Sequence, residues 1–183
     1  MRFYELLREI REEENIRQED LAINIGYTQS AISKFESGVA PLPVEVGLLI
    51  VNYINNPRLT HAYTNELNLG LLNVEFLNNI DTNLLVVLEC LIEEGSEMIT
   101  AIQTLKKLFK NKRNREDISD EDWIAIAEEI KQIADVKVCM DVFLVVVSEK
   151  FGLNLRSLSR EMNFKMKQKG YIKNPNERRG EYD

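Results

Sequence analysis

Few side chains in this sequence are of a kind that performs covalent chemistry. The two cysteines, Cys90 and Cys139, lie inside apolar helical patterns, and neither has a second Cys or a His at ligand spacing. The one histidine, His61, has no partner that the sequence identifies. Glu93 and Glu94 are neighbours along a helix and point in different directions, so they read as solvated acids. There is no Cys–His pair, no glycine-rich phosphate loop and no clustered set of metal ligands. The thiols therefore read as small buried hydrophobes rather than as a disulfide or metal site. No cofactor or metal is expected, and the pattern points away from an enzyme. The chain offers hydrogen bonding instead. In "QEDLAINIGYTQSAISKFESG", Gln18 to Gly38, the amide of Gln29, the hydroxyls of Ser30 and Ser33 and the ammonium of Lys34 crowd one short helix.

The elements around that stretch are legible from periodicity. Phe3, Leu6, Leu7 and Ile10 recur at three-to-four spacing and make the apolar face of a first helix, about 3 to 14. A second helix opens at Gln18 and runs to Ile25. Gly26 follows as the turn residue. Thr28 stands where an N-cap belongs, and a third helix runs from Gln29 to about Glu36. Gly38 closes it. After the loop "VAPLP", Pro43 fits the first turn of a fourth helix reaching about Asn55. A fifth is expected over 59–70. Residues 71–80 read as a connector with some apolar content. Asn83 to Glu94 reads as a helix that Gly95 and Ser96 break or kink, with another continuing to about Lys110. Ser119, with Asp122 three residues on, resembles a capping box and opens a long helix to Phe151, with Gly152 past its end. A last helix covers 154–168, and "NPNERRGEYD" ends a polar tail.

Composition frames this reading. With 183 residues the chain holds one large or two small domains. Only 8 Gly and 4 Pro interrupt it, so helix dominates and the fold class is all-α. The longest strongly apolar run, "VCMDVFLVVV", is far short of the roughly 20 residues that cross a bilayer, and it contains Asp141. The charged N-terminus "MRFYELLREIREEE" is no secretory signal, so a cytoplasmic protein that avoids membranes is expected.

Gln18 to Phe35 resembles the helix-turn-helix of the Cro/CI-type, or xenobiotic-response-element, repressor family. Leu21 and Ile25 of one helix and Ile32 and Phe35 of the next face a core. Ala22 is small where the helices cross, and Gly26 falls four residues later, where the turn favours a left-handed backbone. The frame of five helices, lambda-repressor-like, covers roughly residues 3 to 70. The resemblance implies that the helix Gln29–Glu36 lies in the major groove of double-stranded DNA. Carried over by position, Gln29, Ser30, Ser33 and Lys34 are the base readers. Gln can make two hydrogen bonds to adenine N6 and N7, and Lys can reach guanine O6 or N7. In relatives the residue at Gln18 binds phosphate and braces the first reader. Arg17, Thr28 and Ser37 are further phosphate candidates. Each also has a plainer reading: Gln29 and Ser30 as solvated residues at a helix start, Thr28 as a cap alone. Glu36 reads as structural, because a carboxylate beside DNA is repelled unless paired internally.

Charge complicates this picture. Residues 1–72 hold six Lys and Arg against ten Asp and Glu, a balance of −4 where DNA binders are usually basic. The loop "ESGVAPLP" lacks the Lys or Arg often seen in relatives. Three answers stay open: segregation, with Arg11, Arg17 and Lys34 on one face and "EEE" on another; a dimer that doubles the contacts; or weak non-specific attraction with a shallow salt dependence. Lys106 to Arg115, with six basic residues and no acid, reads first as a solvated face, and so does the basic C-terminal stretch.

Beyond the first domain (1–72) and a connector (73–82), residues 83–170 read as a helical bundle. Its helices are apolar nearly all round, for example Val142 to Val147, which implies burial against another subunit. Residues 171–183 are the tail. The expected function is a homodimeric transcriptional regulator, a repressor that occupies a two-fold operator, with an unidentified small-molecule or protein effector. The alternative is an antitoxin-like or anti-repressor interaction module that keeps the fold with weak DNA binding.

Overall fold

The computed structural model describes residues 3–77 and 79–172. Among them are eight α-helices and no strand. The first five, α1 (Phe3–Glu13), α2 (Gln18–Ile25), α3 (Gln29–Glu36), α4 (Val44–Ile54) and α5 (Pro57–Glu66), close around one core. The apolar stripe of α1 is fully used: Phe3, Leu6, Leu7 and Ile10 are all buried. Leu21 and Ile25 meet it from α2, Ile32 and Phe35 from α3, and Val46, Ile50 and Ile54 from α4. The fifth helix is shorter than its periodicity suggests and begins earlier. Asn56 caps it by accepting the Leu59 N–H at 3.2 Å, and Pro57 sits in its first turn.

The tightest point of this core is Gly47 on α4. A Cβ there would overlap the ring of Tyr63. Tyr63 has nowhere to go: its hydroxyl donates to the Val44 carbonyl at 2.8 Å, and its ring packs on Phe3 with centroids 4.7 Å apart. Gly47→Ala is therefore expected to destabilise the domain by about 1–3 kcal/mol through overpacking. The check is a lower urea midpoint with an unchanged slope.

The second half is built on two long helices, α6 (Leu84–Leu108) and α7 (Asp120–Phe151). Val87 meets Val142 and Val146, Cys90 meets Cys139, and Lys150 donates to the Thr82 carbonyl at 2.7 Å, so the pair runs antiparallel. The expected break at Gly95 and Ser96 does not occur. A mid-helix Gly costs only about 1 kcal/mol relative to Ala, and packing along α7 outweighs it. Ser96 keeps its hydroxyl in the helix by donating to the Ile92 carbonyl at 2.8 Å. Ser119 caps α7 by accepting the Asp122 N–H at 3.1 Å, and Gly152 ends it with φ at 73°. The reciprocal capping box lies just upstream, between Asn114 and Asp117 in a short 3-10 turn.

α7 docks on the first domain. Arg58 of α5 holds Glu149 of α7 at 2.8 Å and pairs with Glu9 and Glu13 of α1. His61, which lacked a partner in the sequence, lies 3.3 Å from Asp141 and edge-on to Phe76. α8 (Leu155–Gln168) hangs outside, with no buried residue. Leu158, Met162 and Met166 fall four residues apart on it, yet none is buried and Met162 is exposed, so they form no core stripe. The expected polar tail lies outside the described residues from 173 onward.

Candidate nucleic-acid interface

The turn between α2 and α3 is set by three local choices. Gly26 takes φ at 76°, and its N–H bonds back to the end of α2. The Tyr27 N–H bonds to the Ala22 carbonyl at 2.8 Å. Thr28 then accepts the Ala31 N–H at 3.2 Å and starts α3. Ala22 is buried at the crossing, where a larger side chain would push the helices apart.

A chain of side-chain hydrogen bonds runs from the core to the tip of α3. Arg11 of α1 and Glu36 at the end of α3 are both buried, 8% and 5% exposed. Arg11 Nε donates to Glu36 Oε1 at 2.6 Å and Nη2 to Oε2 at 3.0 Å. Nη1 donates to the Ile16 carbonyl at 2.7 Å. The Glu36 carboxylate raises the Arg11 pKa further through this hydrogen bond, so the guanidinium stays charged. Gln18 Nε2 donates to Glu36 Oε2 at 2.7 Å, and Gln29 Nε2 donates to Gln18 Oε1 at 2.7 Å.

The direction of this chain is dictated by its buried end. An ionised carboxylate only accepts. Gln18 must therefore turn its NH₂ toward Glu36, which leaves its carbonyl facing Gln29, and Gln29 must donate to it. The exposed amide of Gln29 keeps one N–H and its carbonyl oxygen for a partner outside. That donor–acceptor pair is what the N7 and N6 edge of adenine requires. Gln18 thus braces Gln29 directly, the geometry that the family resemblance implied.

The other expected contacts divide. Ser30 and Lys34 are exposed on the same face, and Ser33 is half-buried along its inner edge. Thr28 is exposed, and its oxygen accepts the capping N–H, which leaves its O–H free to donate. Ser37 donates to the Lys34 carbonyl at 3.2 Å. Arg17 is exposed but forms a fork with Asp20, Nε to Oδ2 at 2.8 Å and Nη2 to Oδ1 at 2.9 Å. The hydrogen bond from Arg17 holds the Asp20 carboxyl below its usual range.

Charge segregation holds only in part. Arg11 does not share a face with Arg17 and Lys34: the buried Glu36 draws it inside. The acids of "EEE" turn toward other partners, Glu12 to Arg8, Glu13 to Arg58 and Glu14 to Asn56. Among the described residues of this domain, Lys34 is the one cation with no ion pair. The residue that sequence reasoning missed is Arg11. Its signal was Glu36 itself, an acid directly after the buried Phe35 and one turn beyond the buried Ile32, which needed an internal partner.

The fold defines a helix-turn-helix domain at the N-terminus. Residues 7–58 match the family model HTH_3, described as Helix-turn-helix, which spans α1 to the start of α5. No curated protein and no solved structure matches the chain. Among the described residues, no helix is long and apolar enough to cross a membrane.

Proposed function

We propose that this chain is a sequence-specific transcriptional regulator that acts as a homodimeric repressor and reads a two-fold operator through α3. The observation that carries the reading is the braced Gln29 amide, oriented by Gln18 and Glu36 and open to a base edge. Gln29, Ser30, Ser33 and Lys34 contact bases. Gln18, Arg17, Thr28 and Ser37 contact phosphate, and Arg17 exchanges Asp20 for it at small cost because exposed pairs contribute little. Repression follows from occupying the promoter, with no chemistry performed.

Residues 83–170 supply the dimer. On α6, Leu85, Ile92 and Ile99 fall seven residues apart, and Leu88, Gly95 and Ile102 repeat at the same interval three residues on. That is the a/d pattern of a coiled coil over three turns of the repeat. Leu85 and Ile92 are 70% exposed, Ile99 56% and Ile102 41%, so the stripe is not consumed by α7. Gly95 has open space above it, which lets a second helix approach closely. Ile92→Asp is expected to turn the dimer into a monomer with unchanged helicity, and to weaken operator binding with it. Sedimentation of the variant checks the first expectation and gel shift the second.

One observation favours an interaction module instead: the engagement of Arg8, Arg11, Arg17 and Arg58 by carboxylates leaves little free positive charge. Salt separates the two readings. A DNA complex weakens steeply as salt rises, whereas a partner held by apolar surface does not.

A further inference from the structure

Val87 of α6 packs on Val142 and Val146 of α7, and one turn further along α6 the contact changes character. Cys90 and Cys139, which nothing in their sequence spacing joins, face each other with their sulfurs 3.0 Å apart. Glu94 lies one turn beyond Cys90 on α6, and one of its carboxylate oxygens joins the two sulfurs in a group whose members are all within 4.8 Å of one another. Cys139 is buried, and Cys90 and Glu94 are half-buried. We propose that Cys90, Cys139 and Glu94 form a binding site for one thiophilic divalent cation of the zinc class.

Ligand chemistry selects the ion. Two sulfurs and one carboxylate oxygen suit a borderline-soft, four-coordinate metal, whereas magnesium and calcium require oxygen shells. Metal–sulfur bonds of about 2.3 Å in a tetrahedron place the sulfurs about 3.8 Å apart. The two thiols therefore separate by less than about 1 Å, a small side-chain adjustment. The fourth position of a four-coordinate ion is left to water.

The electrostatics of the site lack a cation. Glu94 on α6 and Asp135 on α7 bring negative charge to the Cys139 sulfur, and Glu93 and Glu97 add to it around Glu94. Lys131 and Lys137 of α7 are engaged elsewhere, by Glu128 and Asp141. Burial and the neighbouring Asp135 hold the Glu94 carboxyl above its usual range. Burial, the hydrogen bond with Cys90 and the nearby carboxylates push the Cys139 thiol up to about 12. A divalent ion removes both penalties at once. A disulfide would leave the carboxylates as they are.

Binding displaces protons in a fixed count. Two thiols, one carboxylate and one divalent ion give the complex and two protons released to solvent. While both thiols are protonated, affinity then rises about 100-fold per pH unit. This proposal stands apart from DNA binding, and its test uses no DNA.

The test is titration of the full chain, kept reduced with a non-thiol reductant, first with cobalt(II) and then with zinc. One equivalent of cobalt should give sulfur-to-metal charge-transfer absorption and the intense visible bands of a tetrahedral site, both erased by zinc. Two protons should be released per metal. Cys90→Ser should lower zinc affinity by at least about 100-fold, and Glu94→Gln by about 10-fold, with helicity retained in both. Cys90→Ser is the decisive variant, because its side chain is half-exposed while Cys139 is packed in the interface. Absence of a thiolate band at saturating cobalt overturns the proposal. So does zinc affinity that Cys90→Ser leaves unchanged. Loss of both thiols to stoichiometric hydrogen peroxide without any cobalt band would also overturn it, by assigning the pair to a disulfide.

Discussion

Glu36→Ala is expected to lower the melting temperature of the N-terminal domain by on the order of 15 °C or more. The variant leaves the Arg11 guanidinium buried, with the Ile16 carbonyl and the edge of Glu12 as its remaining acceptors. Breaking a buried pair by removing one partner typically costs about 3–5 kcal/mol, because the surviving charge stays out of water. That is a large share of the roughly 5–15 kcal/mol that holds an ordinary domain together. Calorimetry of the full chain checks it. An apolar replacement of both partners, Arg11→Met with Glu36→Leu, should recover most of the loss, since such swaps are often neutral. The double variant is informative beyond stability. Gln18 then has no carboxylate to orient it, so Gln29 loses its fixed polarity. A stable fold with weakened DNA binding is the expected result. Stability and DNA affinity recovering together would show that the relay serves the fold alone.

Gln29→Ala should weaken operator binding by about 1–3 kcal/mol per half-site, roughly 5- to 150-fold, and relax the preference at one base pair. The domain should fold as before, because Gln29 is exposed and its loss frees only the solvent-facing oxygen of Gln18. Gln29→Glu is the sharper variant. A carboxylate cannot donate to the Gln18 carbonyl, and Gln18 cannot turn over while Glu36 holds its NH₂. The brace is then broken at its outer end with almost no change in size. Affinity measured against single-base variants of the selected operator separates loss of one reader from a general loss of attraction.

Local signals carried most of the first domain. The bounds of α2 and α3 follow from Gln18, Gly26, Thr28 and Glu36, where cap and turn chemistry acts within four residues. The long helix ending at Gly152 was legible for the same reason. Gly95 misled because propensity is weak beside the packing of α6 along α7, which involves residues some fifty positions away. Separation in sequence likewise hid Cys90 from Cys139 and His61 from Asp141. Sequence spacing cannot report which faces of two separated helices meet. For the candidate interface, position along the motif gave the exposed side chains Gln29, Ser30 and Lys34. It did not give the fate of Arg11, which looked like a free surface cation until the buried Glu36 supplied a reason to draw it in.

The most direct measurement is selection of bound sequences from a random DNA pool by the purified full chain at about 0.15 M salt, repeated with Gln29→Ala. A two-fold-symmetric motif, with one position per half-site lost in the variant, is the predicted result. A folded dimer that enriches no sequence, or a motif that Gln29→Ala leaves untouched, would contradict it.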